Sequence, residues 1–566
     1  MEQNNIKYDI CVVGSGAGAG PIIYELSKAG FKVVVLEKGP WIKTEHFSKD
    51  ELVACRRNVY SPNKKDEFHV IESKNHKGEW VSKATRDSSK DYWNGNMVGG
   101  SSNLMSAYFH RMKPVDFKLL STYGKIEGAN IVDWPITYND LEPFYAKVEK
   151  VVGVSGEVRP HSTQEPRSTE DFPYPPLKTN IISQWIDEAG KQEGYKMVHG
   201  ARGIISIPNE DRNSCYYSGY CGSYGCSSDA KSSSRVALLN KALKTGNCTI
   251  IPNAKVYHLK TDGNHKIIEA QYYLNNQKKS VKAGTFVVAC QAIETVRLLL
   301  MSKNKDTPNG IGNENRLVGK NLIFSAGGIG GGNLYFKDFD EETDKELKKQ
   351  GLFVNRAIQH WYEIDEKEAK AIGFNQKIKG GTVDFLFEHS NPMPKLIRSK
   401  WQGSKLLYGS ELKNKIKKYF TEQRRIKFEI FNDWLPTDDC FVTLDDKEVD
   451  KWGDPVAKIR IGYHPHDLKV AKLLAKKGEK ILEIIGAKNI STGISGAPSP
   501  NLVVGGCRFG TDPRSSVLDS NCKVHSINNL YITDGSFIPT GGSVPYTWTI
   551  YANSFRISHH LLKILK

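Results

Sequence analysis

The sequence predicts an α/β protein that joins a Rossmann-type unit to an α+β region built on an antiparallel sheet, and three observations predict it. The chain has 566 residues, enough for two to four domain-sized units. Residues 8–37 read as strand, glycine-rich turn, helix, strand and acid. Residues 427–463 carry three strand-like runs, followed by an amphipathic helix over 467–485.

In the first unit, Tyr8-Asp9-Ile10-Cys11-Val12-Val13 is a short β-branched run of the kind that is buried on both faces of a parallel sheet. Gly14-Ser15-Gly16-Ala17-Gly18-Ala19-Gly20 follows, then a helical segment from Pro21 that ends at Gly30. Phe31 to Leu36 is the second strand, and Glu37 closes it. This order is that of a dinucleotide site. Gly14 permits the tight turn, and Gly16 lets backbone approach a pyrophosphate. The helix start offers free N–H groups and the positive end of its dipole. Ala19 fills the third glycine slot. The acid at Glu37, 23 residues after Gly14, accepts from ribose hydroxyls and so favours FAD or NAD over a 2′-phosphorylated cofactor.

Bulk composition is that of a globular protein, with 39% hydrophobic and 25% charged residues. Lys plus Arg exceed Asp plus Glu by 16. The basic residues are interspersed with acids, as in Asp340-Glu341-Glu342 ahead of Lys345, Lys348 and Lys349, and neither zinc-finger spacing nor an aromatic RNA-binding pattern occurs. A solvated basic surface is therefore expected, not a nucleic-acid partner. No apolar run is long enough to span a bilayer. The polar start over 1–9 lacks a signal-peptide pattern, so the expected location is cytoplasmic, or periplasmic if a signal-bearing partner carries the chain out. Ten Cys in so long a chain do not make a disulfide scaffold, and Cys11, Cys290, Cys507 and Cys522 read as small hydrophobes.

Further motifs choose between FAD and NAD. Trp93-Asn94-Gly95-Asn96-Met97-Val98-Gly99-Gly100-Ser101-Ser102-Asn103 resembles the second flavin-contact segment of the glucose–methanol–choline oxidoreductases. Asp133-Trp134-Pro135-Ile136, Asp140 to Tyr145, Val287 to Thr295, Gly506 to Pro513 and Asn529 to Thr540 resemble later signatures of that family, in family order. The nearest branch is similar to the large subunits of gluconate and related sugar dehydrogenases. The resemblance implies FAD, held by Gly14, Ser15, Gly16, Ala19, Glu37, Lys38, Asn96, Gly99, Gly100, Ser101, Asn103, Val256, Asp534, Gly535 and Pro545. It also implies hydride removal from an alcohol carbon of a sugar, glycoside or sugar acid. Electrons would go to a partner, with a small subunit and a cytochrome-type acceptor as the expected company. The sister expectation is an oxidase that uses oxygen.

The same resemblance implies a discontinuous FAD domain over 1–125, 205–325 and 500–566. A substrate domain would take 126–204 and 326–499. Its strands are expected at Lys427–Trp434, Phe441–Leu444 and Lys458–Tyr463.

The proton-handling positions depart from the family. Its first histidine slot holds Leu502, and its second His or Asn slot holds Pro545. Neither side chain can accept a proton. Two explanations stand: another group serves, with Tyr546, Asn501, His464 and His466 as candidates, or the chain binds FAD without the usual oxidation chemistry.

Cys215, Cys221 and Cys226 stand in a Cys-, Gly- and Tyr-rich segment with C-x5-C-x4-C spacing, which is not a standard zinc pattern. Branch resemblance implies an iron–sulfur cluster on these three thiols; the alternative is a structural turn with free thiols or one disulfide.

Overall fold

A computed structural model describes residues 8–55, 57–88, 92, 95–325, 327–388, 392–496, 498 and 502–566. The Tyr8–Val13 strand lies at the centre of a five-stranded, all-parallel sheet. The strand order is Leu530–Ile532, Ala283–Val288, Tyr8–Val13, Val33–Leu36, Cys248–Ile251. Its residues are Val- and Ile-rich because they are buried: the helix Gly20–Lys28 packs against this sheet, and so does the antiparallel sheet of Lys255–Thr261, Ile267–Leu274 and Gln277–Val281, whose Leu259, Ile267, Ala270 and Tyr272 share its core. The helix Gly20–Lys28 packs against the C-terminal helix Thr547–Ile564, and Ala292–Met301 follows the strand Ala283–Val288.

A second sheet has six strands, ordered Lys488–Ile494, Gly328–Tyr335, Gln423–Asn432, Gly381–Phe387, Arg356–Ile358, Val198–His199. Its pairings are antiparallel. Period two divides its side chains cleanly. Val383, Phe385, Phe428 and Ile430 are buried in a separate core under the 20-residue helix Pro465–Ile484. Asp384, Glu429, Phe431 and Ile329 alternate with them and take the opposite face.

The helix expected at 467–485 therefore forms, and so does the strand expected at 427–434. Two other strands form in a different place. Phe441–Val449 and Pro455–Ile461 join Val70–Lys74 and Trp80–Ala84 in a four-stranded sheet. Val442, Ala457 and Ile459 are buried in the core of the parallel sheet, not in that of the six-stranded one. The segment 337–350 contains a helix, Glu341–Lys348, which buries Thr343 and Leu347 and leaves its acids and lysines outside. No helix among the described residues is long and apolar enough to cross a membrane.

Candidate active site

A cavity of about 610 Å3 lies between the parallel sheet and the free face of the six-stranded sheet. Its floor is the glycine-rich turn. Gly14 has φ +93°, and a Cβ there would sit 2.3 Å from the Ala289 carbonyl oxygen, so only glycine fits. At Gly16 an added Cβ would meet no atom within 4 Å, because the residue faces the open cavity. The helix Gly20–Lys28 starts directly after this turn, which puts its positive end at the cavity floor.

A short hydrogen-bond chain joins three predicted residues. The Gly99 N–H donates to Ser15 Oγ at 2.9 Å, and Ser15 Oγ donates to Glu37 Oε2 at 2.5 Å. The Gly39 N–H donates to Glu37 Oε1 at 2.8 Å. Burial pushes the Glu37 carboxyl upward, and these donors oppose that push. Lys38 lines the cavity but is paired, with Nζ 2.7 Å from Glu67 Oε2.

The second wall is the segment 95–103. Asn103 Nδ2 donates to the Val98 and Gly100 carbonyls, each at 3.0 Å, and so holds the turn from behind. Gly100 lies against Gly16: its added Cβ would come 3.2 Å from the Gly16 Cα. The C-terminal wall is Asp534, Gly535 and Pro545, with Val256 on the far side. Asp534 Oδ1 accepts from the Ser536 N–H at 2.8 Å, and burial raises its carboxyl.

Gly14, Ser15, Gly16, Glu37, Lys38, Asn96, Gly100, Ser101, Val256, Asp534, Gly535 and Pro545 thus border one space. Ala19, Gly99 and Asn103 do not border it. Ala19 is fully buried at the start of the helix, and the other two shape the second wall. Trp93, Asn94 and Asn501 lie outside the described residues.

The candidate proton acceptors are placed elsewhere. Tyr546 is buried, and its hydroxyl donates to the Phe324 carbonyl at 3.1 Å, away from the cavity. His464 caps the helix Pro465–Ile484: its Nδ1 accepts from the His466 N–H at 3.2 Å, and its Nε2 donates to the Glu127 carbonyl at 2.8 Å. His466 lies against the Phe374 ring, and burial lowers its imidazole to about 4. Both histidines belong to the helix behind the six-stranded sheet, whereas the cavity is in front of it. Leu502 and Pro545, the two departures from the family pattern, do line the cavity.

Sequence reasoning missed three residues of this wall: Tyr108, Gln291 and Glu429. Gln291 has φ +78°; its Oε1 accepts from the Ile293 N–H at 3.0 Å, and its Nε2 is buried without a partner at the cavity edge. A glutamate within an apolar alternating strand was the available signal for Glu429.

The residues fit a dinucleotide. The turn offers an open glycine and a helix start, the acid stands after the second strand, and Gln291 offers an unused donor. The three cysteines do not fit an iron–sulfur cluster as placed. They pack in a small satellite core and share a cavity of about 30 Å3 with Lys231. Among the described residues no group of three His, Cys, Asp or Glu side chains is arranged to hold a metal ion. The thiols differ in character: burial pushes Cys215 up to about 12, whereas Lys231 and the Ser228 hydroxyl outweigh burial at Cys226 and lower it.

Comparison with known proteins agrees with this geometry. The chain is 27% identical over 582 residues to a 2-methyl-1,2-propanediol dehydrogenase of Mycolicibacterium austroafricanum, covering 99% of this chain and 96% of that one. It is 24% identical over 594 residues to the fructose dehydrogenase large subunit of Gluconobacter japonicus, covering all of both. The crystal structure of pyridoxine 4-oxidase from Mesorbium loti superposes with a TM-score of 0.60 at 16% identity, over 98% of this chain and 99% of that one. The N-terminal GMC oxidoreductase model matches residues 81–325 and the C-terminal model matches 436–554, together well over half of the sequence. The chain belongs to the GMC oxidoreductase family, and its enzymes are FAD-dependent dehydrogenases and oxidases acting on alcohol groups.

Proposed function

We propose that this protein oxidises an alcohol carbon of a small polar substrate, a sugar, glycoside or sugar acid, and delivers the electrons to a protein partner instead of oxygen. One observation carries the proposal: the dinucleotide cradle and a sheet face that presents the Glu429 carboxylate among Ile329, Phe431 and glycine backbone enclose the same cavity, so a substrate resting on the sheet meets the cofactor directly. FAD bound there supplies the hydride acceptor. The chain's own contribution is to hold that cofactor through the turn, Glu37 and Asp534, and to line the substrate space with Tyr108, Phe431 and Glu429. A partner acceptor is supported by the full-length likeness to a protein named as a large subunit. An iron–sulfur cluster on Cys215, Cys221 and Cys226 is left out of the proposal, because the thiols do not form a ligand set.

A second reading rests on Leu502 and Pro545: a chain that holds FAD but does not oxidise alcohols. Anaerobic addition of fructose, gluconate and 2-methyl-1,2-propanediol to the FAD-loaded protein separates the two. Loss of the oxidised-flavin absorbance with at least one alcohol supports oxidation. An unbleached flavin across a wider sugar panel supports the silent subunit. Oxygen uptake as fast as dye reduction would assign an oxidase.

A further inference from the structure

We propose that Glu429 is the proton acceptor of this active site, taking over the work of the two family positions filled here by Leu502 and Pro545. The inference rests on the alcohol-oxidation function proposed above. Glu429 lies on the strand Gln423–Asn432 and lines the same cavity as Leu502, Pro545, Gly16 and Gly100. It is a half-buried carboxylate on a wall otherwise made of Ile329, Phe431 and glycine backbone.

The register explains why its carboxylate is free to act. Glu429 stands directly opposite Asp384 on one side and Ile329 on the other. Two acids directly opposite across neighbouring strands repel, a cost that a structural sheet avoids. Here the two are treated differently. Asp384 is fully engaged by His110, whose Nε2 lies 3.0 and 3.1 Å from its two oxygens, and Gln359 Nε2 donates to His110 Nδ1 at 3.3 Å. Glu429 has neither a hydrogen bond nor an ion pair among the described residues. The charged and titratable groups that face it are Lys427 on its own strand, Asp384 on the next, Arg202, and the Tyr108 hydroxyl. Arg202 is occupied: it stacks 3.5 Å from the Tyr108 ring centre and donates to Asn355 Oδ1 and the Ser106 carbonyl.

Burial and the Asp384 charge both raise the Glu429 carboxyl, while Lys427 and Arg202 lower it, and the net direction is upward. An acid shifted this way is brought toward the range where a carboxylate accepts a proton efficiently near neutral pH. In the proposed step the substrate O–H proton passes to the Glu429 carboxylate. The adjacent C–H bond breaks as its electron pair leaves with the hydrogen to the flavin, and the carbon–oxygen bond becomes a carbonyl. The alcohol is oxidised and the flavin reduced by two electrons.

The test uses FAD-loaded wild type, Glu429→Gln and Glu429→Asp, with whichever panel alcohol bleaches the wild-type flavin fastest. We expect equal FAD content and flavin spectra, with anaerobic flavin reduction in Glu429→Gln slower by about 100-fold or more, the usual span for loss of a general base. The wild-type rate rises with pH along one ionisation that Glu429→Gln lacks, and Glu429→Asp recovers part of the rate. A second readout needs no turnover. A carboxyl raised in the folded state makes the wild-type apoprotein lose melting temperature relative to Glu429→Gln as pH rises above the ordinary glutamate range of about 4. Glu429→Gln reduction within threefold of wild type, a changed KM with unchanged kcat, or a melting difference flat in pH would overturn the assignment while leaving alcohol oxidation in place. A wild-type flavin that no alcohol reduces would instead overturn the proposed oxidation and the assignment with it.

Discussion

The Thr295 hydroxyl donates to Asp534 Oδ2 at 2.5 Å, tying the helix Ala292–Met301 to the turn that closes the cavity from the C-terminal side. Thr295 is fully buried, so Thr295→Val keeps the shape but strips a buried carboxylate of one donor. Such a loss costs about 1–3 kcal/mol. Urea unfolding should show a lower midpoint, and fluorescence titration should show weaker FAD binding.

Gly14 and Gly16 separate fold from cofactor. Gly14→Ala forces a Cβ onto the Ala289 carbonyl at a positive φ and should destabilise the apoprotein by more than about 1 kcal/mol. Gly16→Ala meets no protein atom. It should leave apoprotein melting unchanged and weaken FAD binding, because the methyl group occupies cofactor space. Melting curves with and without FAD distinguish the pair.

Tyr546→Phe and His466→Ala should leave flavin reduction within about threefold of wild type. Removing the Tyr546 hydroxyl costs stability of about 1 kcal/mol through its bond to Phe324. A large rate loss in either variant would put a residue at the substrate that the geometry keeps away from it.

His199 should make the protein sensitive to acid. Both of its ring nitrogens are buried without partners, and burial together with Arg356, Arg159 and Arg202 lowers its imidazole to about 3. An unfolded histidine titrates near pH 6.5. Between those values the unfolded chain binds the extra proton, so stability falls as pH falls through this window. His199→Phe removes the term. The wild-type urea midpoint should drop relative to the variant from about pH 6.5 downward, and the two should run parallel above it.

Iron analysis of anaerobically purified protein tests the cysteine pocket. The geometry expects less than one iron per chain and three thiols open to alkylation after unfolding. Stoichiometric iron with visible cluster absorbance would require the segment 215–226 to close on itself.

The cofactor half of the site was legible because its signals are local. Strand, glycines, helix and acid fall within 8–37, and period and spacing alone recover them. The substrate half was not. Glu429 acquires its character from Asp384, 45 residues earlier, through strand pairing that no single window contains. Tyr546 misled for the opposite reason: it adjoins Pro545 in sequence, but at a helix start successive side chains diverge by about 100°. His464 and His466 follow a strand correctly read, yet the next helix carries them behind the sheet. The strands Phe441–Val449 and Pro455–Ile461 were recognisable as strands, but Val70–Lys74, which pairs with the second of them, was not.

The parallel sheet has a consequence for synthesis. Its edge strand Leu530–Ile532 and the wall residue Asp534 are made after every other strand of the sheet, long after Tyr8–Val13. Until residues 530–535 have been made, the cofactor space lacks one wall, and the half-built apolar sheet must be kept from aggregating. Flavin supply and chaperone access after that last strand is made, more than before it, should govern how much active protein a cell obtains.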